Sequence, residues 1–241
     1  MSLKFSLDAW SAWAPDKTSV SDWQAWASGQ PFQAEPGQPD ISSVPAMQRR
    51  RMSSLSKMAF AAATSCISSS SAKPCCIFAS RHGELGRTVK IIESMVKLED
   101  VSPTDFSLSV FNTALGLFSI FTENKAPSTM VVGGEDTFGS ALIEAMTYLG
   151  RFPELPVLLV YFDEPLPAPL HIMESPPGPV FSIALLLSAK GPPNIEVDFA
   201  HNHSRVSDGR NPGLEFLRFF LADMFEHTVT TERTRWQWSR L

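Results

Sequence analysis

Apolar residues recur along this chain with two different periods. Met52, Leu55, Met58 (or Ala59) and Ala62 return every three or four positions, the spacing of one helix face. Phe138, Leu142, Ala145 and Leu149 do the same, and Val89, Ile92 and Val96 mark one side of a helix over residues 86–100. Further helices are predicted over about 108–122 and, closing the chain, over 213–229. Between them lie apolar runs of strand length: "PCCIFASRHG" ending at Gly83, then residues 129–133, "LPVLLVYFDE" and "PVFSIALLLSAK". The last two are apolar throughout, which predicts central strands buried on both faces. "IEVDFAHNHS" reads as one more. Strands alternating with helices predict an α/β fold, a mixed central sheet flanked by helices.

Punctuation divides the pattern. Pro15, Pro31, Pro36, Pro39 and Pro45, with Gly29 and Gly37, predict a loop region over about 15–45. Trp10, Trp13, Trp23 and Trp26 crowd its approaches, to pack that region onto the body or onto a partner. "SSSSAK" (68–73) reads as a polar linker and the last eleven residues as a ragged tail. No internal repeat is visible, and 241 residues suit one domain.

Composition narrows the function classes. Net charge is −5, and the one basic cluster, Arg49-Arg50-Arg51, is short, so nothing points to nucleic acid or an anionic membrane. Cys66, Cys75 and Cys76 make no disulfide framework and read as small buried apolar residues. The N-terminus lacks the apolar run of a leader and no stretch reaches membrane-span length, so the chain reads as cytoplasmic. At 19% charged residues the chain is somewhat poor in charge, a hint of surface buried against a partner.

Candidate chemistry centres on "VVGGEDTFGSALIEA" (131–145): a strand, a Gly-Gly turn, then a helix. A turn of that kind presents a nucleophile, and the helix N-terminus behind it stabilises the anion. Here the turn carries Glu135 and Asp136, with no Cys, Ser or Lys. A carboxylate meets the same field, and the expectation is that Glu135 caps the helix rather than doing acid–base work with Asp136. His201 and His203 lack further ligands at metal spacing, so no metal is expected. Ser80, His82 and Glu84 lack a Gly-x-Ser-x-Gly elbow and read as a strand-to-helix loop.

The segment 102–145 resembles the nucleophile half of the β-ketoacyl synthases, the thiolase-fold condensing enzymes. The matching pieces are Ser109-Val110-Phe111-Asn112, Leu115-Gly116, Ala126-Pro127, the strand after it, and Gly139 to Ala145. Laid over that pattern without gaps, the family's catalytic Cys falls on Glu135. "PAMQRRRMSSLSKMAF" and "FASRHGELGRTV" resemble a branch of short proteins related to the ketosynthase N-terminal half, several from aryl polyene pigment clusters. The likeness covers about residues 40–190. The family's His-Gly-Thr-Gly-Thr and Gly-His-x-x-Gly runs do not occur in this sequence.

The resemblance implies a thiolase-like fold, N-terminal half only, spanning 1–241 as a single ketosynthase-like domain. It implies a chain-length-factor-like subunit with no catalytic residue and no cofactor. A catalytic ketosynthase would be its partner, and it would meet an acyl carrier protein through that complex, in polyene (aryl polyene) type II polyketide synthesis. Phe111, Leu115 and Phe118 would line the end of the acyl tunnel or, with equal ease, fill the subunit's own core. Thr129, Met130, Val131, Val132 and Gly133 would form the dimer interface. The competing expectations are a malonyl-carrier decarboxylase that primes synthesis, and a scaffold that only solubilises the ketosynthase.

Overall fold

Eight strands form one sheet in the order β3-β2-β4-β5-β1-β6-β8-β7. The computed structural model describes residues 2–33, 37–68, 72–173 and 177–241; part of the expected 68–73 linker lies outside them. In chain order the strands are β1 (Ser2–Trp13), β2 (Cys75–Ala79), β3 (Ser128–Val131), β4 (Val157–Asp163), β5 (Phe181–Ser188), β6 (Ile195–His201), β7 (Glu226–Thr230) and β8 (Thr234–Arg240). The helices are α1 (Val20–Ala27), α2 (Ala46–Arg49), α3 (Ser54–Ile67), α4 (Leu85–Val96), α5 (Pro103–Ser107), α6 (Thr113–Thr122), α7 (Thr137–Arg151) and α8 (Pro212–Leu221). Strands β3, β2 and β4 run parallel and every other pairing is antiparallel, so the sheet is mixed.

The apolar runs are buried on both faces because helices cover both. In β2, Cys75, Ile77 and Ala79 face one core while Cys76 and Phe78 face the other. In β4, Val157, Leu159 and Tyr161 alternate in the same way with Leu158, Val160 and Phe162. One core takes Phe138, Leu142, Ala145 and Leu149 of α7 together with Phe216 and Phe219 of α8. The other takes the predicted stripe of α3, with Leu115 and Phe118 of α6. Phe118 is 0% exposed, its ring 5.4 Å from those of Phe60 and Phe78.

Several expectations need correction. The region 15–45 is not loop throughout: Ser19 and Asp22 form a reciprocal capping box that starts α1, and Trp23 and Trp26 of that helix enter the core. The closing helix stops at Leu221, and Asp223, at φ +54°, turns the chain into β7. The tail is a strand, β8, whose Trp236 and Trp238 are buried. The helix expected over 108–122 begins only at Thr113, as α6, and Phe111 lies in the turn between α5 and α6, off the face it was to share with Leu115 and Phe118. Val89 is buried, but Ile92 and Val96 of α4 are exposed.

Candidate functional site

The carboxyl ends of parallel strands β2, β3 and β4 lie side by side, the position where open α/β sheets place ligands and reacting groups. Three loops leave from there. After β2, Ser80 donates to Asp163 Oδ1 at the end of β4 (2.9 Å), and the Arg81 N–H donates to the same oxygen (3.0 Å). Gly83 takes φ +53° beneath the ring of Phe111, where a Cβ would collide. Glu84 turns the other way, accepting from Ser53 and Ser56 (both 2.7 Å) and from Arg87 (3.2 Å). Ser80 and Glu84 therefore serve separate networks that pin the loop, and they are not members of one triad.

The loop after β3 is the elbow. Gly134 takes φ +62°, and residues Gly134–Asp136 make one 3-10 turn leading into α7. Thr137, fully buried, secures it: its Oγ1 accepts from the Gly133 N–H (3.0 Å) and donates to the Gly134 carbonyl (2.7 Å). Glu135 does not cap α7, contrary to expectation. Its side chain is exposed, and Oε2 accepts from the Glu232 N–H (3.2 Å), in the turn between β7 and β8. Asp136, the residue before α7, makes no capping bond either. It is buried, and its Oδ1 accepts from Thr231 Oγ1 (2.6 Å) and Trp236 Nε1 (2.8 Å). The Trp236 ring fills the space where a Cβ would stand at Gly139, in the first turn of α7. The seat of a nucleophile is thus held by the C-terminal hairpin. Sequence reasoning missed that hairpin, although Trp236 and Trp238 alternate with polar neighbours as a half-buried strand requires.

No thiol replaces the absent one. Cys75 and Cys76 begin β2, at the far end of the strand from the elbow. Burial pushes the thiols of Cys66 and Cys76 up to about 12, and raises that of Cys75, so all three stay protonated near neutral pH.

A cleft of about 580 Å³ opens beside Glu135, with Arg81, Tyr161, Asn211 and Phe32 on its walls. Burial holds the Tyr161 phenol above its usual range, and the phenol oxygen accepts from Asn211 Nδ2 (3.0 Å). At the cleft's edge the buried Glu215 gathers Arg210 (3.3 Å), Arg218 (3.0 Å) and His227 (2.8 Å). This ion cluster was not anticipated, although its members lie close together in sequence, on α8, at the start of β7 and in the loop before the helix. His201 and His203 meet edge to face on β6 and the loop after it, and no group of three or more potential metal ligands occurs among the described residues. No helix of the described residues is long and apolar enough to cross a membrane.

Among the described residues, strand β3 is the sheet's edge and pairs only with β2. The Cys76 N–H donates to the Pro127 carbonyl and the Ser80 N–H to that of Val131. Odd-numbered residues of β3 therefore bond β2, and the backbone groups of Ser128, Met130 and Val132 point outward. Val132 at this edge is exposed, and so is Ile120 of α6, the helix that packs against β3.

Residues 23–239 match the family model described as β-ketoacyl synthase, N-terminal domain. Against curated proteins the chain has no match. Among solved structures it is similar to one from the complex of a ketosynthase (ApeO) with its chain length factor (ApeC) from Xenorhabdus doucetiae. Identity there is 28% and the TM-score 0.87, over 99% of this chain and 100% of that one. The fold is also that of the ishigamide ketosynthase/chain length factor (16% identity, TM-score 0.66, 84% of this chain and 68% of that one). It recurs in a β-ketoacyl synthase from Burkholderia phymatum STM815 (14%, 0.61, 92% and 71%).

Proposed function

Because the chain belongs to the β-ketoacyl synthase N-terminal-domain family, we propose that it is the non-catalytic, chain-length-factor-like partner of an active ketosynthase. The observation that carries this reading is Glu135. It stands at a strand-to-helix elbow where the family resemblance puts a cysteine, and its carboxylate is bonded to the C-terminal hairpin. Claisen condensation needs a thiolate to hold the growing acyl chain, and a carboxylate forms no stable thioester. The likeness to a chain of a ketosynthase–chain length factor complex, along the whole of both chains, supports the same reading.

In this account the partner ketosynthase supplies the nucleophile and the thioester chemistry, and an acyl carrier protein delivers substrate to the complex. This subunit contributes the edge of β3, where Thr129, Met130, Val131, Val132 and Gly133 meet the partner. An unpaired, apolar edge strand without guarding charges is a ready template for another strand. Of the three residues expected at the tunnel, Leu115 and Phe118 pack the chain's own core, and the reading assigns the acyl-chain contact to Phe111, half-buried in the turn before α6. The pathway proposed is type II polyketide synthesis of a polyene, the aryl polyene class.

The test is an assay of acyl-carrier condensation and malonyl-carrier decarboxylation with this chain alone, the ketosynthase alone, and both together. The reading expects neither reaction from this chain alone and condensation from the pair. Decarboxylation by the isolated chain, lost in Glu135→Ala, would replace it with the priming-enzyme reading.

A further inference from the structure

The contact between Asp136 and the C-terminal hairpin joins two parts of the chain about a hundred residues apart, and both sides of it are buried. Thr231 is 1% and Trp236 2% exposed. Thr231 is itself fixed, since its Oγ1 accepts from the Thr234 N–H (3.0 Å) and its carbonyl accepts from Asn202 (2.8 Å). The hairpin is therefore an anchor for the elbow, which is tied to it in the interior through Asp136 and at the surface through the Glu135–Glu232 bond.

What the anchor restrains is the end of the edge strand. The β2–β3 ladder finishes at Val131, whose carbonyl accepts from Ser80 at a long 3.4 Å. Val132 lies beyond it, with its backbone groups outward, and the residue is 52% exposed. Nothing in the sheet holds Val132. The turn after it does: the Asp136 N–H donates to the Gly133 carbonyl (3.1 Å), and the Asp136 side chain is held by Thr231 and Trp236. Thr137 holds Gly133 and Gly134 from inside the elbow; freeing the Asp136 carboxylate removes the tie to the hairpin and so loosens the turn and the last outward-facing residue of the edge.

We propose that Thr231 and Trp236 act as a clamp on Asp136 that holds the turn after β3, and so keeps the β3 edge in the shape its partner binds. The second half of this rests on the pairing proposed above; the first half belongs to the isolated chain. Asp136, Thr231 and Trp236 are positioning residues, acting through Val132 and Gly133.

Two readings separate the halves. The first is amide hydrogen exchange of the isolated chain, followed by mass spectrometry. Trp236→Phe keeps an aromatic ring in the core but loses the N–H and the indole atoms over Gly139, and Thr231→Val keeps the shape and loses the hydroxyl. The double variant is expected to exchange about tenfold faster over residues 132–137, with the remaining sheet unchanged. Asp136→Asn, whose amide oxygen still accepts both bonds, should stay near wild type. The second reading is dissociation from the catalytic ketosynthase, expected to quicken about tenfold in the double variant and little in Asp136→Asn. Unchanged exchange at 132–137 overturns the clamp. Faster exchange with an unchanged dissociation rate overturns its link to the partner. Wild type that does not bind a ketosynthase overturns the pairing reading and leaves the clamp to be decided by exchange. Should the double variant lose its fold, Trp236→Phe alone gives the same two readings.

Discussion

Phe118 and Phe60 meet edge to face, 5.4 Å between ring centroids, in the core between the sheet and helices α3 and α6. That contact places Phe118 in the chain's own core. A ring with no exposed surface, packed on Phe60 and Phe78, holds the fold together. Phe118→Ala should cost about 3–5 kcal/mol, because the cavity it leaves is walled by other rings. Urea unfolding of the isolated chain measures this. A loss under about 1 kcal/mol would mean that the site is loosely packed and open to another role.

Phe111 carries the opposite expectation. It sits half-buried over Gly83, outside α6. Phe111→Ala should leave a folded subunit and lengthen the carrier-bound products of the complex by two-carbon units. Mass spectrometry of those products reads the change, and products of unaltered length would remove Phe111 from the tunnel.

Glu164 should make stability depend on pH. Burial raises its carboxyl above the usual value, although Ser54 donates to it (3.0 Å). The folded state therefore favours the protonated form, and its advantage is complete below the unfolded value of about 4.5. As pH rises from there through the folded value, that stability is lost. Glu164→Gln should accordingly melt higher than wild type at pH 7, with the difference vanishing below about pH 4.5. Equal melting temperatures at both pH values would contradict this.

Glu135→Gln should preserve both assembly and product, because the glutamine carbonyl can still accept the Glu232 N–H. Gel filtration with a turnover assay checks it. An intact complex with collapsed turnover would show that the charge itself takes part.

Where the sequence could be read, one period ran unbroken. Strands β4 and β5 are apolar throughout because helices cover both faces, and α7 shows its stripe across about three turns. The losses come where geometry interrupts the period. In β1 the register shifts between Leu7 and Ala9; Phe5 and Leu7 face one core and Trp13 the other, so no simple alternation survives. Between α8 and β7 the chain turns at the left-handed Asp223, and the apolar residues on either side of it (Phe220, Leu221, Met224, Phe225) continue the helical pattern, so the break is not visible in the period. The elbow and its Glu135 were legible, since turn chemistry is local. Its partners Thr231, Glu232 and Trp236 were not, because their contacts span nearly a hundred residues.

The central claim, pairing with a ketosynthase through the β3 edge, is tested most directly by co-elution. A tagged catalytic ketosynthase from the same organism is expressed with this chain as wild type, Met130→Pro or Val132→Lys. The Met130 N–H points away from β2, so proline there removes only an outward donor, and Val132 is exposed enough to accept lysine without disturbing the core. The account predicts that wild type co-elutes with the ketosynthase and that both variants, folded by circular dichroism, elute alone. Co-elution of both variants at the wild-type level would contradict it.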